Sequence, residues 1–214
     1  MSEVFNILKN VLLISQLISV IIGLLYLFKR KTSYWRWFSV YLGIIFLQEY
    51  FWMQSISIDK QYRIAYYVFI GVPLEYLFFY WLYALKSQKS KKLFILSVSI
   101  YVIAVLVSAL YKNVDEVFSI SVNVGTMILI VLIILEFIKQ IKTDDILQFK
   151  ENRMFYINLG LILFYIGNYP FHIFGPELYA NHLDIWNAYY FYFLTTNILM
   201  YILFSIAFIW GKTR

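Results

Sequence analysis

The sequence predicts an all-α integral membrane protein, a bundle of seven transmembrane helices in one domain over 1–214. Three observations predict it. The 214-residue chain is 62% hydrophobic, with a mean hydropathy of +0.72, whereas apolar residues make up about half of a soluble domain. The apolar residues gather into runs long enough to cross a hydrocarbon core, which takes about 20 residues of helix. The basic residues concentrate in alternate connections between those runs.

The expected windows are 6–28, 34–54, 63–85, 92–111, 117–139, 154–174 and 187–210. They are apolar on nearly all sides, which suits helices and not the short alternating strands of a barrel. The first follows Met1-Ser2-Glu3, which has no basic n-region, and no small-residue cleavage site closes it. It therefore reads as a span and not as a cleavable signal. The second ends near Gln48 and Glu49, and the third carries Gly71-Val72-Pro73-Leu74-Glu75 at its centre. The fourth offers Ser97, Ser99 and Ser108 but no amide or charge, and reads as a peripheral connector. The fifth contributes Ser119, Asn123 and Thr126; Glu136, close to Lys139 and Gln140, reads as a helix-end pair. In the sixth, Asn158, Tyr165, Asn168 and His172 share a face beside Gly167 and Pro170. Gly175-Pro176 mark a turn that opens an outer loop over 175–186. The seventh aligns Tyr190, Asn197 and Tyr201, with Thr195 and Thr196 beside them. Many of the 20 Tyr, 20 Phe and 6 Trp fall at window ends, where amphipathic rings favour the headgroup zone.

Charge sets the expected orientation. Lys29, Arg30, Lys31 and Arg36 follow the first window; Lys86, Lys89, Lys91 and Lys92 follow the third. Lys139, Lys142, Lys150 and Arg153 follow the fifth, and Lys212 and Arg214 follow the seventh. The other side carries Lys9, Lys60, Arg63 and Lys112 among six acidic residues: Glu3, Asp59, Asp115, Glu116, Glu177 and Asp184. Positive residues stay inside, so the N-terminus is expected outside and the C-terminus in the cytoplasm of a cell (inner) membrane. The +6 net charge is thereby a topology signal and no nucleic-acid footprint.

Short strings recur. Leu42-Gly43-Ile44-Ile45-Phe46-Leu47 echoes Leu159-Gly160-Leu161-Ile162-Leu163-Phe164, and Ala65-Tyr66-Tyr67 echoes Ala188-Tyr189-Tyr190. They suggest a parallel three-plus-one-plus-three repeat, with halves 1–88 and 114–214 joined by the connector helix 92–111. Parallel repeats place binding sites near the midplane.

The site expectation centres on Glu75, an acid halfway along a spanning run with no Lys or Arg at its depth. Such a group is costly in hydrocarbon and usually functional or paired. It is expected to hold its proton, because desolvation disfavours the charged form. Tyr67, Gly71 and Glu75 form one helical stripe. Glu49, Gln48, Gln16, Asn123, Tyr165, Asn168, His172, Tyr190, Thr196 and Asn197 complete the expected ligand-binding set. Most fall between the midplane and the outer boundary, which suggests a polar pocket that opens outward, with Glu75 facing Asn197 and Asn168. Pro73 and Pro170 are expected hinges, since each frees a carbonyl one turn back. For Gln16, Asn123 and Asn158 an interhelical hydrogen bond is the competing role.

Several chemistries are excluded. With no cysteine there is no disulfide, thiolate metal site or cysteine nucleophile. The last window has no lysine for a retinal Schiff base, and two histidines cannot ligate several haems. No cofactor or metal is expected.

Pro73-Leu74-Glu75, Gly167-Asn168 and Phe208-Ile209-Trp210-Gly211-Lys212 together resemble a family of small, uncharacterised bacterial seven-helix membrane proteins. That resemblance implies no particular activity. Pro73-Leu74-Glu75-Tyr76-Leu77-Phe78-Phe79 is also similar to the Pro-x-Glu-Glu segment of the membrane lycopene cyclases, which would imply Glu75 as a general acid toward a polyene. Tyr76 stands where those enzymes have a second acid, and the second half shows Thr195-Thr196-Asn197 with no matching acid. Three readings follow: a transporter or receptor for a small or lipidic ligand or a proton, a cyclase-like enzyme, or a structural subunit bound to a membrane or cytoplasmic partner.

Overall fold

The computed structural model describes residues 2–29, 34–55, 59–143 and 145–211, and among them it is helical with no strand. Arg30, Lys31, Lys212 and Arg214, used above for orientation, lie outside the described residues. So does the side chain of His172. The helices are α1 (Ser2–Lys29), α2 (Trp35–Gln54), α3 (Lys60–Ser87), α4 (Lys91–Tyr111), α5 (Val114–Lys142), α6 (153–181) and α7 (Leu183–Trp210). Six of them, all but α2, are long and apolar enough to cross a membrane. Arg36, Gln48, Glu49 and Gln54 dilute the apolar run of α2. The outward faces carry Leu25, Ile95, Ile103, Val131 and Ile202 in the open, a pattern that would be costly in water and is ordinary against lipid. The chain is a multi-pass, membrane-embedded all-α protein.

Side-chain caps start four helices. Asp59 accepts the Gln61 N–H at 3.1 Å, Ser90 that of Leu93 at 3.2 Å, Asn113 that of Glu116 at 2.9 Å and Asn152 that of Phe155 at 3.3 Å. Each satisfies one of the free donors of a first turn. Between α3 and α4 the chain reverses through Lys89, whose φ of 54° is left-handed. The Ser90 N–H returns to the Ala84 carbonyl six residues back at 2.8 Å, so α3 closes on a turn one residue wider than a Schellman turn, in keeping with its widened last stretch.

Two joints differ from expectation. The stretch 175–186 is not a loop: α6 runs through Gly175 and Pro176 to Asn181, and the chain turns at His182 (φ −142°, ψ 63°) before α7 begins. No glycine takes a positive φ among the described residues, so Gly175 stays helical. The φ of Pro176 suits a helix, while its missing N–H leaves the carbonyl one turn back without its helical donor. The link between the fifth and sixth windows is likewise shorter than read, because α5 extends to Lys142 and a 3₁₀ segment, Asp145–Glu151, bent at Gln148, leads into α6.

By packing, the chain divides into two compact units, 1–50 with 140–214, and 51–139. In the first, α1 and α7 lie parallel. Phe5 meets Tyr190 edge to face at 5.0 Å, Ser19 Oγ donates to the Tyr201 carbonyl at 2.6 Å, and Tyr26 packs on Phe208 at 5.4 Å. On α2, Phe38 wedges against Phe204 and Phe208, and Ser39 Oγ donates to the Gly23 carbonyl at 2.9 Å. On α6, Gly160 lets the backbone approach Met200 of α7. At one end of this unit Arg153 is 4% exposed and fully engaged. It donates to the carbonyls of Ala207 (3.0 Å) and Gly211 (2.5 Å) and to the Tyr26 hydroxyl (2.9 Å). Its guanidinium also lies over the rings of Tyr26, Trp35 and Phe208.

In the second unit α3, α4 and α5 pack through tyrosines. Tyr76 Oη donates to the Val122 carbonyl at 3.0 Å and shares a 2.8 Å hydrogen bond with Thr126. Tyr80 Oη donates to the Gly125 carbonyl at 3.0 Å, and Tyr101 Oη pairs with Ser121 Oγ at 2.7 Å. A β-carbon at Gly125 would overlap the Tyr76 ring, which is pinned by its hydroxyl. Gly125→Ala is therefore expected to cost about 2 kcal/mol through overpacking, read as a lower melting temperature in detergent. An unchanged value would mean that Tyr76 has room to move.

Candidate functional site

Glu75 sits on α3 between two stretches of widened helix, Tyr67–Gly71 and Trp81–Ser87. The first is explained by Pro73. Proline has no N–H and its ring crowds the carbonyl four residues back, here that of Phe69. The π turn shifts the preceding pairing by one residue, with the Val72 N–H on the Tyr67 carbonyl, and the helix continues through the proline. The same device precedes Pro170. The π turn Ile162–Ile166 ends with the Gly167 N–H on the Ile162 carbonyl. Both prolines thus stand in continuous helix, each next to a turn of altered register.

The stripe of Tyr67, Gly71 and Glu75 is present. Gly71 is buried because the Tyr67 ring folds directly over it, and a β-carbon there would clash. Tyr66 and Tyr67 cluster with Trp52, and Arg63 lies over the Trp52 ring at 5.8 Å. One turn below Gly71, Glu75 is half-buried and within electrostatic reach of Tyr101 on α4. Tyr101 in turn contacts Tyr76, Tyr80 and Ser121. A carboxyl, a phenol and an alcohol thus follow one another across α3, α4 and α5. Asn123, also in this unit, is half-buried and makes a long contact to Ser119, at 3.4 Å.

The other expected site residues belong to the first unit. Asn168 is fully buried on α6, and its Nδ2 donates to the Phe164 carbonyl (2.6 Å) and to Thr196 Oγ1 on α7 (2.8 Å). Such a bond between membrane helices contributes about 0.6–2 kcal/mol. Asn197 is half-buried one residue further along; Gln16, Gln48 and Tyr165 are buried, and Glu49 is half-buried. Tyr190 belongs to an aromatic ladder, stacked on Trp186 at 4.8 Å and approached by Lys9 at 5.9 Å.

Three features escaped the sequence reading. The connector α4 is not featureless: Ser97, Tyr101, Val105 and Ser108 form one buried stripe, and Tyr101 is the hub of the second unit. Arg153 counted only as an inside charge. Glu136 is more than a helix-end pair, being 2% exposed. It accepts from Ser87 Oγ at 2.5 Å and Gln88 Nε2 at 3.3 Å, with Lys139 Nζ at 3.8 Å. Lys139 also donates to the Ser87 carbonyl (2.9 Å) and hydroxyl (2.7 Å). The Asp/Glu-with-Lys spacing was visible in sequence; the partner Ser87, 49 positions away, was not.

No protein-family model, no curated protein and no solved structure matches the chain.

Proposed function

We propose that this membrane protein binds a small or lipidic ligand, or a proton, at an intramembrane polar site around Glu75, and acts as a transporter or a ligand sensor. The observation that carries the reading is a carboxyl in mid-span, flanked by widened helix and followed by the Tyr101–Ser121 pair. Ionisable groups inside membrane helices mark substrate or proton paths, and π turns recur at functional sites. In this reading α2 also crosses, making seven spans, with the N-terminus outside and the pocket open to that side. The charge distribution supports that orientation in a bacterial inner membrane. The duplication of 1–88 and 114–214 rests on the echoed strings. Pro73 and Pro170 would absorb the motion of opening, since π turns leave their carbonyls adaptable.

The test is Glu75→Gln, which keeps the shape and removes the titratable group. Wild-type protein purified in mild detergent is expected to retain a small molecule or lipid detectable by mass spectrometry, or to take up protons on acidification in liposomes. The variant should lose that by at least about tenfold, equivalent to about 1.4 kcal/mol, with an unchanged melting temperature. Equal retention and equal uptake would dismiss the site. A fall in stability alone would assign Glu75 a structural role. Ring-closed pigment in a lycopene-accumulating host would move the protein to the enzymes.

A further inference from the structure

The first unit contains a second polar layer, independent of Glu75. Gln16 on α1, Gln48 on α2, Asn168 on α6 and Asn197 on α7 place one side-chain amide on each helix of the unit. Register puts them at one level. Ser19 meets the Tyr201 carbonyl in a parallel pair; Gln16 lies three residues before Ser19, and Asn197 four before Tyr201. At about 1.5 Å per residue these positions differ by less than half a turn. Asn168 is tied to Thr196, the neighbour of Asn197. Ser39 meets Gly23, and α2 runs opposite to α1, since Trp35 and Tyr26 share the Arg153 guanidinium. Gln48, nine residues after Ser39, therefore comes level with residue 14 of α1, within about one turn of Gln16.

Three of these amides keep a buried oxygen that has no hydrogen-bond partner among the described residues: Gln16 Oε1, Asn168 Oδ1 and Asn197 Oδ1. Gln16 is 3% exposed and Asn168 0%. For Asn168 the orientation is forced. The Phe164 carbonyl can only accept, so Nδ2 must face it and Oδ1 must point elsewhere. Buried carbonyl oxygens without donors are rare, and each calls for an occupant. The layer is thus rich in acceptors, with the Asn168 amide hydrogens already committed to the protein.

We propose that this layer binds a small monovalent cation through amide oxygens. Neutral oxygen donors replace the weak hydration shell of a monovalent ion, as backbone carbonyls do in selectivity filters. They would not repay the dehydration of a divalent ion, which takes carboxylates.

The experiment is a melting series of the full chain in detergent at constant ionic strength. Lithium, sodium, potassium, rubidium and ammonium chlorides are compared with N-methyl-D-glucamine chloride. One small cation should raise the melting temperature saturably, by about 4 °C when present at tenfold its dissociation constant. Gln16→Leu removes one orphan oxygen at similar volume and should weaken that response at least about tenfold. If Gln16→Leu fails to fold, Asn197→Leu at the half-buried position carries the same expectation. Equal melting in every salt would overturn the proposal and leave water as the occupant. A cation response untouched by both variants would also overturn it. Neither outcome bears on Glu75, which lies in the other unit.

Discussion

Arg153→Met is expected to lower the melting temperature of the detergent-solubilised protein by about 10 °C, the largest single effect in the first unit. The guanidinium ties three elements together: Tyr26 on α1, the ring of Trp35 on α2, and the Ala207 and Gly211 carbonyls that end α7. Hydrogen bonds to a charged group contribute about 1.5–3 kcal/mol each. Ala207 keeps the Gly211 N–H at 3.2 Å, so the loss falls mainly on the Gly211 carbonyl and on the aromatic box. A total near 3 kcal/mol is the expectation. Arg153→Lys should recover less than half of it, because an ammonium cannot reach two carbonyls in a planar fork while stacking on rings. A lysine variant as stable as wild type would show that the charge matters and the fork does not.

Glu136→Ala is the counterpart in the second unit. Glu136 is buried and accepts from Ser87 and Gln88, so its loss leaves those donors without their acceptor, at a cost of about 1–3 kcal/mol. Lys139 is 37% exposed and can turn to water, so the lower end of that range applies. Ser87→Ala removes one donor and should cost about 1 kcal/mol. The decisive measurement is the double-mutant cycle for Glu136 and Ser87. A 2.5 Å hydrogen bond between them predicts strong coupling, and strictly additive losses would mean that the two residues act separately.

Six of the seven expected spans coincide with helices long and apolar enough to cross, because a run of about 20 apolar residues is a local property. The third, fifth and seventh windows, 63–85, 117–139 and 187–210, fall inside helices that run two to four residues further at one or both ends. The joints were less legible. Gly175-Pro176 is a turn dipeptide by composition, and only the surrounding helix decides that it remains helical. The caps Asp59, Ser90, Asn113 and Asn152 are residue types that favour helix starts, but the windows were drawn from apolar run length alone and passed over them. The Tyr67–Gly71–Glu75 stripe was also legible, because helical periodicity places residues four apart on one face. What periodicity cannot provide is the partner across a helix interface. Arg153 looked like one more inside charge until α7 was seen to end on it. Tyr101 drew no expectation from the sequence, because its partner Ser121, 2.7 Å from its hydroxyl, lies on another helix.

The division into units also orders the protein's biosynthesis. The segment 51–139 is continuous, so its tyrosine-bonded helices can assemble as soon as they have left the translocon. The other unit joins 1–50 to 140–214, with α1 lying along α7 from Phe5–Tyr190 to Tyr26–Phe208. Of these helices, α1 therefore completes its packing only once α7 is in place, and until then Ser19 lacks its Tyr201 and Ser205 partners.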